Sequence, residues 1–424
     1  VQTCALPIYV SHFNTSSVTD MNCMLSSCPL LTELDVSGFD TSKVTNMRHM
    51  FGSDKSLVTL DVSHFDTSKV TNMNRMFLSL NLLENLDVSH FDTSNVTDMA
   101  RMFAGLKSVK YLDVSHFDTS KVTDMGGMFA NCNALTTLDV SHFDTRNVTT
   151  TAIALTSSDG STYKEGMFQG CNSLIILDLS SFDTSNVTDM SNMFKNCYAL
   201  ESLDVSKFNT SNVTEMGGMF QNCRALTTLD VSNFDTSKVT SFVSYKRDSN
   251  GEITEWYSMF YNCYLLEELD VSNFDTSSVT DMNRLFYNCR ALTSLDLSSF
   301  DTSKVTDMSR MFYYCTSLTT IYAASGSNWG ASSALTESTD MFSGCYALVG
   351  GNGTAFSWSY TDAAYARVDT ASAPGYFTAK AGTSAGGSSG TLTVPDPYLP
   401  DEFAGKTVAA LYTNVWTETD TEIG

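Results

Sequence analysis

No stretch of these 424 residues approaches the run of about 18 apolar side chains that crosses a bilayer as a helix, so the sequence presents no membrane span of that kind. Basic side chains are also scarce: 24 lysines and arginines face 47 aspartates and glutamates, a formal net charge of −23 at pH 7. So acidic a surface repels phosphate backbones and anionic headgroups, which argues against nucleic acid or anionic membrane as a partner and suits a solvated extracellular chain. The 11 cysteines include no Cys-x-x-Cys and no zinc-ligand spacing. There is no EF-hand-like or glycine-aspartate cation loop. No nucleophile, base and orienting group stand apart from the chain's own periodicity. We expect neither an enzyme nor a resident cofactor.

What fills the chain instead is a repeat. Leu34-Asp35 returns every 26 residues as Leu60-Asp61, Leu86-Asp87, Leu112-Asp113 and Leu138-Asp139. After two longer spacings it resumes at Leu177, Leu203, Leu229, Leu269 and Leu295, with a degraded copy at Ile321. A Met-Phe marker keeps the same beat at Met50, Met76, Met102, Met128, Met167, Met193, Met219, Met259, Met311 and Met341. Within one unit Leu138 and Val140 alternate with Asp139 and Ser141, the period of a short strand with one buried face. Met125, Met128, Phe129 and Cys132 then fall at i, i+3, i+4 and i+7, with Thr123 or Asp124 as a capping oxygen, which predicts a short helix or 3-10 segment. Between them Phe143-Asp144-Thr145 reads as a turn whose Asp and Thr side chains bond nearby amides.

One such unit cannot bury its apolar face alone, so units must stack. The fold class expected is an α/β repeat solenoid of the leucine-rich-repeat type, about 12 turns of 26 residues, each a short parallel β-strand plus a short helix or 3-10 segment. The array is expected over residues 9–349, followed by a closing segment over 350–380. Residues 381–390 have the Gly/Ser composition of a flexible linker, and 391–424 read as the start of a further β-rich domain. Residues 1–8, Val-Gln-Thr-Cys-Ala-Leu-Pro-Ile, break the pattern and read as a translated sequencing adapter, an artefact to be set aside.

Stacking turns repeat positions into columns. Asp35, Asp61, Asp87, Asp113, Asp139, Asp178, Asp204, Asp230, Asp270 and Asp296 form one outward column. Carboxylates about 4.8 Å apart repel by roughly 0.9 kcal/mol even in water. Either Ser and Thr hydroxyls, with Lys43, Lys69, Lys121, Lys238 and Lys304 nearby, offset that repulsion, or the column collects Ca²⁺ or another hard cation. Asp87, Asp113, Asp139, Asp178, Asp204 and Asp230 are the candidate binding residues of this column.

Cys28, Cys132, Cys171, Cys197, Cys223, Cys263, Cys289, Cys315 and Cys345 follow the Phe (or Leu25) of the marker by three residues, where Leu80 and Leu106 stand in other units. A position that accepts Cys or Leu is a buried apolar column, so free thiols are favoured over disulfides, which neighbouring coils would direct poorly. His12, His64, His90, His116 and His142 share a position that Gly38, Ser181, Lys207, Asn233, Asn273 and Ser299 also fill. That tolerance fits an exposed, unspecialised site; the competing reading is an imidazole ladder for Zn²⁺. Asn95, Asn147, Asn186 and Asn212 match the glycosylation sequon, but read more simply as an Asn/Lys alternation before Val-Thr.

Two insertions break the rule, of 13 residues between Val148 and Met167 and of 14 between Val239 and Met259. Each alternates around a Gly-containing turn and reads as a hairpin, the two leaving one edge about 15 Å apart. Insertions in repeat proteins commonly map to a binding face, and Tyr163, Tyr245, Trp256 and Tyr257 would put aromatic side chains there. The plainer reading is tolerated surface elaboration.

The pattern Leu-x-x-Leu-Asp-Val-Ser-x-Phe-Asp-Thr-Ser-x-Val-Thr-Asp-Met with Met-Phe-x-x-Cys resembles the BspA-type leucine-rich repeats, once catalogued as a mycoplasma and lactobacillus domain of unknown function. The resemblance covers residues 9–349, and Tyr360 through Phe377 is similar to the segment that closes such arrays. It implies a secreted or cell-wall bacterial protein, extracellular or on the cell surface, that adheres to or captures a host or bacterial surface protein or glycan. It implies no catalytic residues. The alternative function is a passive stalk that displays another domain.

Overall fold

A computed structural model describes residues 8–384 of the chain. Its strands are β1 (Ile8–Tyr9), β2 (Leu34–Asp35), β3 (Ala152–Thr156), β4 (Thr162–Gly166), β5 (Ile176–Leu177), β6 (Ser202–Leu203), β7 (Thr228–Leu229), β8 (Val243–Arg247), β9 (Ile253–Ser258), β10 (Glu268–Leu269), β11 (Ser294–Asp296), β12 (Thr320–Ser325) and β13 (Phe377–Ser384). Equivalent strands of successive coils pair in parallel with the leucines in register: Leu177 with Leu203, Leu229 with Leu269, Leu295 with Ile321. Most of these strands are only two residues long, and none forms at Leu60, Leu86, Leu112 or Leu138. What keeps them short is the residue that follows each leucine. Asp87 Oδ1 accepts the Ser89 N–H at 2.9 Å and Phe91 N–H closes on Val88 O, so the chain turns as soon as the strand has begun.

A second ladder runs where the sequence reads Val-Thr-Asp. Single-residue parallel bridges link Asp20, Asn46, Asn72, Asp98, Asp124, Thr150, Asp189, Glu215 and Ser241 in unbroken succession.

The predicted helix is absent. Among the described residues the only helical segments are two 3-10 turns, Trp329–Ala331 and Ala363–Tyr365. From Met73 to Ser79 the chain instead makes tandem turns. Met76 and Leu78 N–H close back on Met73 and Arg75 O, while Met73, Arg75, Phe77 and Ser79 N–H donate to Asp98, Ala100, Met102 and Ala104 O of the next coil. Arg75 and Ser79 take φ of +58° and +60°, which no α-helix tolerates. The i, i+3, i+4, i+7 spacing is real, but here it is the spacing of turns that close every third residue.

Inside, each marker Phe stacks on the next, Phe77 to Phe103 and Phe103 to Phe129 with centroids 5.8 Å apart. Cys132, Cys171, Cys197, Cys223, Cys263, Cys289, Cys315 and Cys345 are buried free thiols, and Cys132 Sγ donates to Phe103 O of the coil before at 3.3 Å. Burial pushes these thiols up, Cys171, Cys263 and Cys315 to about 12. A third inter-coil link uses side chains: buried Thr119 Oγ1 accepts the Asp144 N–H at 2.8 Å and donates to Asp144 O at 3.0 Å. The Thr of Phe-Asp-Thr therefore bonds the following coil rather than its own turn.

At the C-terminal end β13 pairs in parallel with β12, and buried Tyr376, Phe377 and Trp329 pack over Phe342 and Phe300. β13 runs to Ser384, into the stretch expected as linker; the rest of that stretch and 391–424 lie outside the described residues. At the other end Ile8 pairs with Leu34, so the regular pattern already holds at a residue assigned to the adapter, while 1–7 lie outside the described residues.

Candidate functional site

Both insertions are antiparallel hairpins, β3 with β4 and β8 with β9. They lean together rather than standing three turns apart: Thr162 of β4 bridges Arg247 of β8, and the four strands form one sheet in the order β3-β4-β8-β9. Glycines on both sides of the contact between hairpins and coils make room. A Cβ on Gly217 would lie 2.2 Å from Ser244 N, and one on Gly166 2.2 Å from Asn192 O.

Charged and aromatic side chains root the sheet in the array. Buried Glu165 meets Arg101 Nε at 2.6 Å and accepts from Asn131 Nδ2 at 2.9 Å; burial raises its pKa against the pull of that arginine. Lys164 Nζ lies 2.7 Å from Asp189 and 4.0 Å from Glu215. Tyr245 donates its hydroxyl to Asp281. Lys195 Nζ sits 3.0 Å from the ring centroid of Tyr257, and burial brings this ammonium down to about 7.

Two depressions result. A groove of about 400 Å³ is lined by Leu155, Tyr163, Lys164, Glu215, Val243 and Tyr245. A recess of about 420 Å³ beside β9 is lined by Gln221, Arg224, Glu255, Trp256, Tyr261 and Arg284, among others. The four predicted aromatics are thus divided. Tyr163 and Tyr245 belong to the groove and Trp256 to the recess. Tyr257, expected at the surface, borders the recess but is 5% exposed and serves as a root of the hairpin, because β9 sinks toward the coils at its end, where Ser258 is buried as well. The lysines, arginines and carboxylates that hold the sheet carry no sequence signal: each occupies an ordinary repeat position or a hairpin position.

The aspartate column is elsewhere. Asp87, Asp139, Asp178, Asp204 and Asp230 are exposed and Asp113 half-buried. Each accepts from the serine two residues on, as Asp113 does from Ser115 N at 3.0 Å and Oγ at 2.7 Å, and these bonds hold all six carboxyls below their usual range. The lysines expected to help act indirectly: Lys43 and Lys69 donate to Ser16 O and Ser42 O of the preceding coil. Asn95, Asn147, Asn186 and Asn212 make the same bond, which accounts for the Asn/Lys alternation. The histidines are tied as well. His64 and His90 Nε2 donate to Val36 O and Val62 O at 2.9 Å, a bond that Asn233 reproduces with its amide. Among the described residues no three His, Cys, Asp or Glu side chains gather where they would hold a metal ion, and no helix is long and apolar enough to cross a membrane.

The family profile described as Mycoplasma protein of unknown function, DUF285, matches residues 3–110, 80–159, 162–256 and 246–352. No curated protein matches. Among solved structures the chain is similar to the functional domain of InlJ from Listeria monocytogenes, which includes a cysteine ladder, at 19% identity and a TM-score of 0.29 over 75% of this chain and 60% of that one. It is also similar to a leucine rich cell surface protein from Faecalibacterium prausnitzii, at 18% identity and a TM-score of 0.28 over 75% of this chain and 78% of that one. This chain therefore spans less than two thirds of the Listeria chain's length.

Proposed function

Since the chain belongs to the DUF285 family, whose function its description leaves open, we propose that it is a BspA-type leucine-rich-repeat protein of a bacterial surface that captures a host or bacterial surface protein or glycan. The observation that carries this reading is the convergence of the two insertions. Elaboration without a role gives no reason for hairpins from different coils to meet in one sheet over a groove holding two tyrosines, a lysine and a carboxylate. The acidic surface and the repeat pattern fit an extracellular setting. In this reading the ligand is held at the hairpins and not through a cation on the aspartate column, whose carboxylates each accept from a serine.

The test is binding of the full chain to a panel of matrix proteins and glycans, with and without chelator. A variant is run beside it in which residues 152–166 and 243–258 are each replaced by Gly-Gly, the link that Gly126-Gly127 and Gly217-Gly218 already use. Saturable binding lost in the variant and indifferent to chelator supports the reading. Binding lost only with chelator moves the site to the aspartate column, and no binding in any arm leaves a passive stalk.

A further inference from the structure

The chain's scarce cations are not spread evenly, and the recess beside β9 holds two of an uncommon kind. Arg224 lies with its guanidinium 4.5 Å from the Tyr198 ring and 5.3 Å from the Tyr264 ring. Arg284 lies 4.4 Å over Trp256. Among the described residues neither guanidinium forms an ion pair, although carboxylates outnumber cations about two to one in this chain. The recess has one carboxylate, Glu255, and that is already engaged by Lys246 at 2.9 Å and by the Tyr257 hydroxyl at 2.9 Å. Aromatic faces thus hold two planar donors in place while leaving their N–H edges without an anion.

Arg284 has one neutral partner, Asn283 Oδ1, which accepts from its Nη1 at 2.5 Å. Two guanidinium groups with no anion, beside Trp256 and Tyr261 as apolar walls, match a ligand that brings an anion and a flat carbon face together. A volume of about 420 Å³ suits one or two sugar rings.

We propose that this recess is a subsite for an acidic saccharide, a pyranose bearing a carboxylate or sulfate: the anion meets Arg224 and Arg284, and the ring packs on the aromatic wall. The proposal rests on the reading of the insertions as a ligand-binding elaboration, and it names the chemistry of one part of it.

The experiment is calorimetric titration of the full chain with N-acetylneuraminic acid, glucuronic acid, a sulfated monosaccharide, a neutral methyl glycoside and a short oligoglutamate. Arg224→Gln and Arg284→Gln variants are titrated alongside, their folding checked by thermal unfolding. The expected result is saturable binding of an acidic sugar, about tenfold or more weaker for each arginine variant and for the neutral glycoside, and weaker again as salt is raised. The carboxylate and sulfate arms identify which anion is preferred. Equal binding of the neutral glycoside, equal binding of oligoglutamate, or indifference to both arginine substitutions overturns the proposal. Tyr163→Ala and Tyr245→Ala separate it from the broader reading. If they abolish capture of a panel ligand while no acidic sugar binds, the groove stands and this subsite falls; if they leave acidic-sugar binding unchanged, the subsite stands by itself.

Discussion

At the scale of single residues, hydroxyls and carboxyls do what backbone pairing does in a longer sheet. Thr93 is 2% exposed and donates its hydroxyl to Asp118 O of the next coil at 3.0 Å. Thr93→Val keeps the shape and strands that carbonyl, so unfolding in urea is expected to show a loss of about 1–3 kcal/mol, while Thr93→Ser, which restores the hydroxyl, loses less. Asp54 is the odd member of the Cys/Leu column. It is fully buried, its Oδ1 accepts from Cys28 N at 2.6 Å, its Oδ2 has no partner, and burial pushes it up to about 7. A carboxyl raised in the folded state binds its proton more tightly there than in the unfolded chain. Its contribution therefore falls as pH rises from about 4 to about 7, by at most about 1.4 kcal/mol per pH unit, and is level above that. Asp54→Asn should abolish that slope and leave the variant more stable than the parent at pH 8 but not at pH 4. Parallel stability curves for the two proteins would show that Asp54 ionises without cost.

At the scale of the element, the turn side of each regular coil is built on left-handed residues at two fixed positions, the ones before the marker Met and before the Cys; in the two coils with hairpins only the second is left-handed. Asn192, Asn196, Asn222 and Asn288 hold φ between 59° and 64°, and glycine fills the same role at Gly127 and Gly218. The asparagines at the second position also form a chain: Asn222 donates to Asn196, Asn262 to Asn222 and Asn288 to Asn262, at 2.7–2.9 Å. Asn222→Ala loses both the tolerated conformation and two links of that chain, and Asn222→Gly loses only the links. Thermal unfolding should rank parent above Gly above Ala, with about 1–2 kcal/mol between the last two from backbone strain alone. An Ala variant as stable as Gly would mean that the turn can relax. This element also marks where sequence reasoning stopped. The columns of Met, Phe and Cys were legible because burial repeats at a fixed interval. The helix was misassigned because tandem turns and an α-helix share the i, i+3, i+4 spacing. Asn or Gly recurring just before Cys was the available sign, since those residues enter the left-handed region most readily.

For the whole molecule, the stacking of coils and the two hairpins followed from period and alternation, which are local properties. How the hairpins meet did not, because Thr162 and Arg247 are joined across two intervening coils and nothing in either segment announces the other. Tyr257 likewise differs from Tyr245 only in depth, and depth depends on how far a strand lies down on its neighbours. The recess at Arg224 and Arg284 needed side chains from three coils and a hairpin, so no single unit carried its pattern.

The eight buried cysteines have one more consequence, and it is mechanical. Each stands one coil from the next, yet their thiols are free and only share a proton with the backbone of the coil before. Nothing covalent sews those coils together except the chain itself. Pulled from its ends, this part of the array would pay out like a rope from a stack, one loop at a time. Each released 26-residue loop adds on the order of 90 Å of slack at about 3.3–3.6 Å per residue. A tether of this kind lengthens under load before it breaks, and it can wind back when the load is removed.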